Sequence, residues 1–199
     1  MDFIDCLVDS AIEENSPIIL QLAEAHFKYL GLEKIVPAIL NVARDVNIPI
    51  CIHLDHGQSL KTVIKAIQAG FNSVMFDGSR NPLDENIRLT KEVVLIAHDA
   101  GISVEGEIGV LAGIEDDKSA EKSIYPTPQE VIEYARRTGI DAVAIACGTC
   151  HGAIKNFKGL EYDLIRDSYN VSGDFAVIVD EKYVLQSVGE LSEIDRYLD

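Results

Sequence analysis

The chain has 199 residues, 47% hydrophobic and 25% charged, the composition of an ordinary globular domain and not of a disordered segment. Seventeen basic residues against 33 acidic ones leave a net charge of −16, which argues against nucleic acid or an anionic membrane as partner but leaves small anionic substrates open. No apolar stretch approaches the ~20 residues of a bilayer span. The start, Met1 to Asp5, lacks the basic-then-apolar pattern of a signal peptide, so a cytoplasmic location is expected.

Short apolar runs suited to buried strands recur, with helical patterns between them. The first run begins at Pro17. Leu32 to Val46 then carries Ile35, Val36, Ile39, Leu40 and Ala43 at helical spacing, although Pro37 leaves the start of that helix open. A second run begins at Ile48 and ends in His53-Leu54-Asp55-His56-Gly57. Ser59 is a suitable cap, and Gly70 a stop, for a helix over 59–69. A third strand is predicted over Phe71 to Asp77, followed by a helix from Pro82 to Asp99 with Asp84 and Glu85 in its first turn. The fourth strand spans Ile102 to Ile108. Thr127-Pro128-Gln129-Glu130 then supplies a cap, a proline at the first helical position and an early acid for a helix ending at Thr138-Gly139. Strands over Asp141–Cys147 and Asp174–Asp180 complete six runs whose starts lie 23 to 39 residues apart. That spacing fits one strand plus one crossover helix. No linker composition interrupts the series, so residues 1–199 are expected to form one α/β domain with parallel strands, either an open sheet or a barrel. No GxGxxG or GxxxxGK[ST] loop follows a strand, which weakens a nucleotide-binding reading.

Chemically loaded residues cluster where these strands should end. Asp55 and His56 close the second strand, Asp77 the third, and His151 follows the fifth. Glu105 and Glu107, two apart on the fourth, share a face. Imidazoles and carboxylates at one rim suit zinc or a similar divalent ion. Blander readings stand beside this one: Asp77 can cap the following turn, Glu105 can be a satisfied interior carboxylate, and His26 and His98 read as surface or structural residues. His53 reads as support for its neighbours. Cys51 and Cys147 are expected to be buried free thiols, and the lone CxxC of Cys147 and Cys150 has no second pair to make a zinc site.

Several stretches resemble the class II, metal-dependent fructose-bisphosphate and tagatose-bisphosphate aldolases, in order and in register from about residue 7 to 160. They are residues 50–57, 69–79, Glu85-Asn86 with 90–94, 103–109 and 148–152, and residues 16–21 resemble that family's second barrel strand. The resemblance implies a parallel (β/α) TIM-barrel fold. It implies a metal-dependent lyase of carbohydrate metabolism that cleaves or forms a carbon–carbon bond in a phosphorylated ketose. Position by position, His56 and His151 match zinc ligands, and Asp77 and Glu107 match carboxylates for a second or alternative metal position. Asp55 matches the acid that donates a proton to the aldehyde oxygen, and Glu115 the acid that moves the substrate proton. Gly152 and Gln21 match substrate-contacting positions, Gly152 in a loop associated with a monovalent cation. The polar segment Gly113 to Pro126 suits a lid. Implied partners are a small phosphorylated sugar and further subunits, as a homo-oligomer or as a partner completing the barrel.

Three departures accompany the match. No strand ending in Asn precedes the first unit, and Ala23 stands where a small hydroxyl residue is usual. No His-Gly-Gly-Ser-Gly turn follows His151, so a third zinc histidine, a phosphate-binding turn and the last βα units are not seen, and 161–199 diverge. Asp180 is the nearest substitute ligand. The alternative function is therefore a truncated or degenerate relative without catalysis, acting as a partner subunit or a non-functional fragment.

Overall fold

Each of the six predicted strand runs carries a strand, and each predicted helix forms, at nearly the expected bounds. The structure is a computed structural model and describes residues 2–115, 118–148, 161, 163–164, 167, 176–179 and 183–185. In chain order the elements are α1 (Asp2–Glu13), β1 (Ile18–Ala23), a 3-10 turn (Glu24–His26), α2 (Leu32–Ala43), β2 (Ile50–Gly57), α3 (Leu60–Ala69), β3 (Ser73–Phe76), α4 (Leu83–Asp99), β4 (Ser103–Ile108), β5 (Gly113–Glu115), β6 (Lys118–Ala120), α5 (Pro128–Thr138), β7 (Ala142–Ile145), β8 (Ala176–Val179) and β9 (Tyr183–Leu185). Parallel strands alternating with helices make this an α/β fold of the (β/α) barrel type. The chain divides into two compact units, Met1–Phe76 with Ile96–Ser103 and Asp77–Leu95 with Val104–Asp199.

In the first unit β1 pairs parallel with β2, from Ile18 opposite Ile50 to Ala23 opposite Asp55, and β2 pairs parallel with β3. Leu54, Val74, Val36 and Val63 are fully enclosed, and each buried aliphatic contributes about 1.5–3 kcal/mol relative to exposure. The Ser59 hydroxyl accepts from the Thr62 amide to start α3, and Gly70, at φ 108°, stops it as read from the sequence. The Glu24 carboxylate strengthens that start, accepting from the Gln58 amide at 2.6 Å and the Thr62 hydroxyl at 2.7 Å. Pro37 lies inside α2 without breaking it. Residues 2–13, where no strand was visible, form a helix that packs on α2 and buries Val8. His26 lies in the 3-10 turn, and Cys51 is only half-buried where burial was expected.

In the second unit β4 pairs parallel with β7, β7 parallel with β8, and β8 antiparallel with β9. Helix α5 opens with the predicted cap. The Thr127 hydroxyl accepts from the Glu130 amide, and the Glu130 carboxylate accepts from the Thr127 amide at 2.7 Å. The segment expected as a polar lid contains regular structure, with β5 and β6 pairing antiparallel from Gly113 opposite Ala120. Behind them Val110 bridges Ile124, and Ser123 Oγ accepts from the Ala112 amide at 2.9 Å.

One connection occurs once in each unit. Asn72 accepts from the Ile52 amide through its side chain at 2.7 Å and donates its own amide to the Ile52 carbonyl at 3.2 Å. Asp141 does the same to Val104, at 2.7 and 2.8 Å. Each follows a left-handed glycine and one apolar residue (Gly70-Phe71-Asn72 and Gly139-Ile140-Asp141), so the turn that ends a helix also fixes where the next strand joins its neighbour.

Candidate active site

The end of β2 departs from regular strand geometry. Leu54 lies opposite Val74 but Gly57 lies opposite Phe76, so β2 carries one residue more than β3 over this stretch. The irregularity falls at His56, whose φ of 46° lies in the left-handed region that non-glycine residues seldom adopt. Strict alternation would send Asp55 and His56 to opposite faces; a bulge re-aims one of them. The result is an imidazole beside its neighbour's carboxylate, with His56 Nε2 3.8 Å from Asp55 Oδ1 and the two side chains 11% and 21% exposed. Gly57 is required next to the bulge, because a Cβ there would lie 2.6 Å from the Met75 carbonyl oxygen.

His53 lies deeper in the same strand. It is buried, with Nδ1 2.7 Å from the Ser73 hydroxyl on β3. Burial, and then the proximity of His56, lowers its pKa from 6.5 to about 4, so it stays neutral at ordinary pH. That suits the supporting position read from the sequence. Gln21, opposite His53 on β1, is exposed, and Ala23 lies opposite Asp55.

In the second unit Asp77 follows β3 and organises the turn before α4. Its Oδ1 accepts from the Ser79 amide at 3.2 Å and the Ser79 hydroxyl at 2.6 Å, so the turn-capping role is real. Glu105 and Glu107 share a face of β4 and lie opposite Ala142 and Ala144, whose methyl groups leave room for the carboxylates. Glu105 is buried and Glu107 half-buried.

Beneath Glu107 lies a buried polar cluster that sequence reasoning missed. Asn86 Nδ2 donates to the Glu107 carbonyl at 2.8 Å, and the Thr90 hydroxyl donates to Asn86 Oδ1 at 3.1 Å. The Tyr134 hydroxyl lies 2.9 Å from the Thr90 hydroxyl. Burial holds the Tyr134 phenol well above its usual range, with the Glu107 and Asp77 carboxylates acting in the same direction, so it remains protonated. The available signal was a polar pair one turn apart, Asn86 and Thr90, on a helix face that otherwise buries Ile87, Val93 and Val94.

Each unit carries donor types that bind zinc and similar divalent ions: the His56 imidazole in the first, and the Asp77 and Glu107 carboxylates in the second. His26 and His98 are exposed, as expected of residues outside a site. Glu115 belongs to β5 by its backbone, but its side chain lies outside the described residues. His151, Gly152, Cys150 and Asp180 lie outside them altogether.

Comparison with known proteins gives concordant results. The family described as fructose-bisphosphate aldolase class-II matches residues 1–180. A fructose-bisphosphate aldolase of Staphylococcus aureus is 44% identical over 169 residues, covering 81% of this chain and 59% of that protein. One of Staphylococcus epidermidis is 42% identical over 169 residues, with the same coverage of 81% and 59%. The crystal structure of the YdjI aldolase from Escherichia coli K12 is similar with a TM-score of 0.78 at 28% identity, over 90% of this chain and 62% of that one. The chain thus spans about three fifths of the length of these relatives.

Proposed function

This chain belongs to the class-II fructose-bisphosphate aldolase family, and from that membership we propose that it cleaves or forms a carbon–carbon bond in a phosphorylated ketose. Fructose bisphosphate is the proposed substrate, with tagatose bisphosphate as the stereoisomer to test beside it. The observation that carries this reading is the bulged end of β2, which presents Asp55 and His56 side by side. A strand end that holds a non-glycine residue at positive φ stores strain of about 1–3 kcal/mol, and such strain is concentrated at functional sites.

His56 and His151 would hold a zinc ion, with Asp77 and Glu107 as carboxylate donors to it or to a second divalent ion; the donor types fit. When bound, the ion supplies Lewis-acid stabilisation of the negative charge that develops when a bond beta to a carbonyl is cleaved. The remaining work falls to this chain's own side chains. Asp55, mostly enclosed beside an imidazole, takes the proton from the hydroxyl that becomes the aldehyde oxygen and returns it in the synthetic direction. Glu115 serves the proton at the carbanion carbon. Gln21 and Gly152 contact the substrate, and His53 stays neutral and holds β2 against Ser73.

Release of triose phosphate from each bisphosphate by the purified full chain with added zinc tests the reading. Cleavage of fructose bisphosphate is expected. Asp55→Ala should lower kcat about 100-fold or more while zinc still binds, and His56→Ala should lose both zinc and activity. A full rate in Asp55→Ala would remove that residue from the reaction.

A further inference from the structure

Asn86, Thr90 and Tyr134 are 2%, 0% and 0% exposed, and the chemistry proposed above uses none of them. Polar groups enclosed to this degree are costly unless fully hydrogen-bonded, and here the three side chains bond to one another. The Asn86 amide is committed as a donor to the Glu107 carbonyl, so its oxygen must accept. The Thr90 hydroxyl donates to that oxygen at 3.1 Å and lies 2.9 Å from the Tyr134 hydroxyl, which itself lies 3.4 Å from the Asn86 oxygen. Through Asn86 the cluster ends on the backbone of β4, at the Glu107 carbonyl. Strand and tyrosine are also in close contact: a Cβ at Gly106 would collide with the Tyr134 hydroxyl, so only glycine admits this approach. A cluster serving only to join α4 to α5 would need no bond to β4 and no glycine there.

We propose that Asn86, Thr90 and Tyr134 form a positioning relay that fixes the β4 backbone at Glu107 and so sets how tightly that carboxylate can hold a divalent cation. The inference rests on the reading of Glu107 as a metal donor. Hydrogen bonds polarise one another along such a chain, so removal of one member weakens the rest. Groups that orient a metal ligand are typically worth 10- to 100-fold in metal affinity.

Cobalt(II) titration of the metal-free full chain, followed by calorimetry and by visible d–d absorption, tests the relay without recourse to turnover. Thr90→Val keeps the volume and removes the hydroxyl. It should weaken cobalt binding about 10-fold or more and alter the absorption bands, and Thr90→Ser should restore both. Tyr134→Phe provides a second reading should Thr90→Val fail to fold. Wild-type affinity and spectrum in Thr90→Val, with cobalt binding lost in Glu107→Gln, would overturn the relay and leave the donor role of Glu107 intact. Unchanged binding in Glu107→Gln would instead remove that donor role and, through its premise, the relay.

Discussion

At the level of single residues, the end of β2 shows how far a sequence can be read. The order His53, Asp55, His56 at the end of an apolar run is visible in the letters, because a strand tip is where such groups can meet a ligand. The bulge that turns Asp55 and His56 toward each other is not, since it depends on how β3 registers against β2. His53 offers a prediction at this scale. An unfolded histidine titrates near 6.5 and His53 in the fold near 4, so between those values the unfolded chain takes up a proton that the folded chain refuses. Stability of the metal-free protein should therefore fall as pH drops from about 6.5 toward 4 and then level off, by up to about 3 kcal/mol from this group at 1.36 kcal/mol per unit. Urea unfolding at several pH values should show a shallower dependence in His53→Gln; an identical dependence would mean that other groups carry it.

At the level of elements, legibility followed locality. Helices α3 and α5 were read almost to the residue because their signals, Ser59 and Gly70, Thr127 and Gly139, act within a turn of where they stand. Loss of the α5 cap has a defined cost: Thr127→Ala should destabilise the chain by about 1 kcal/mol, read as a lower urea midpoint at unchanged slope. An unchanged midpoint would show that Glu130 and Pro128 suffice to start the helix. The β5–β6 hairpin escaped notice because its strands are three residues each and largely polar, too short for a period-two pattern to register. The relay under Glu107 was hidden for a different reason. Tyr134 is far in sequence from Asn86 and Thr90, and only the packing of α4 and α5 brings the three together.

At the level of the whole molecule, charge is the property that reaches every site. A net charge of −16 surrounds any cation site with negative potential and opposes the approach of a bisphosphate. Raising ionic strength from about 0.01 M to about 0.15 M shortens the screening length from roughly 30 to 8 Å. Cobalt affinity should fall several-fold over that range while KM for fructose bisphosphate falls with it, read by titration and by initial rates at the two salt levels. Affinity indifferent to salt would mean that the site is insulated from the surface charge. The helix-to-strand turns at Asn72 and Asp141 carry a different kind of whole-molecule consequence. Each turn aligns its incoming strand through one side chain, bonded to the backbone of the neighbouring strand at Ile52 or Val104. A strand and helix built this way bring their alignment with them when a gene segment is duplicated or exchanged, so the architecture can grow or be recombined one unit at a time.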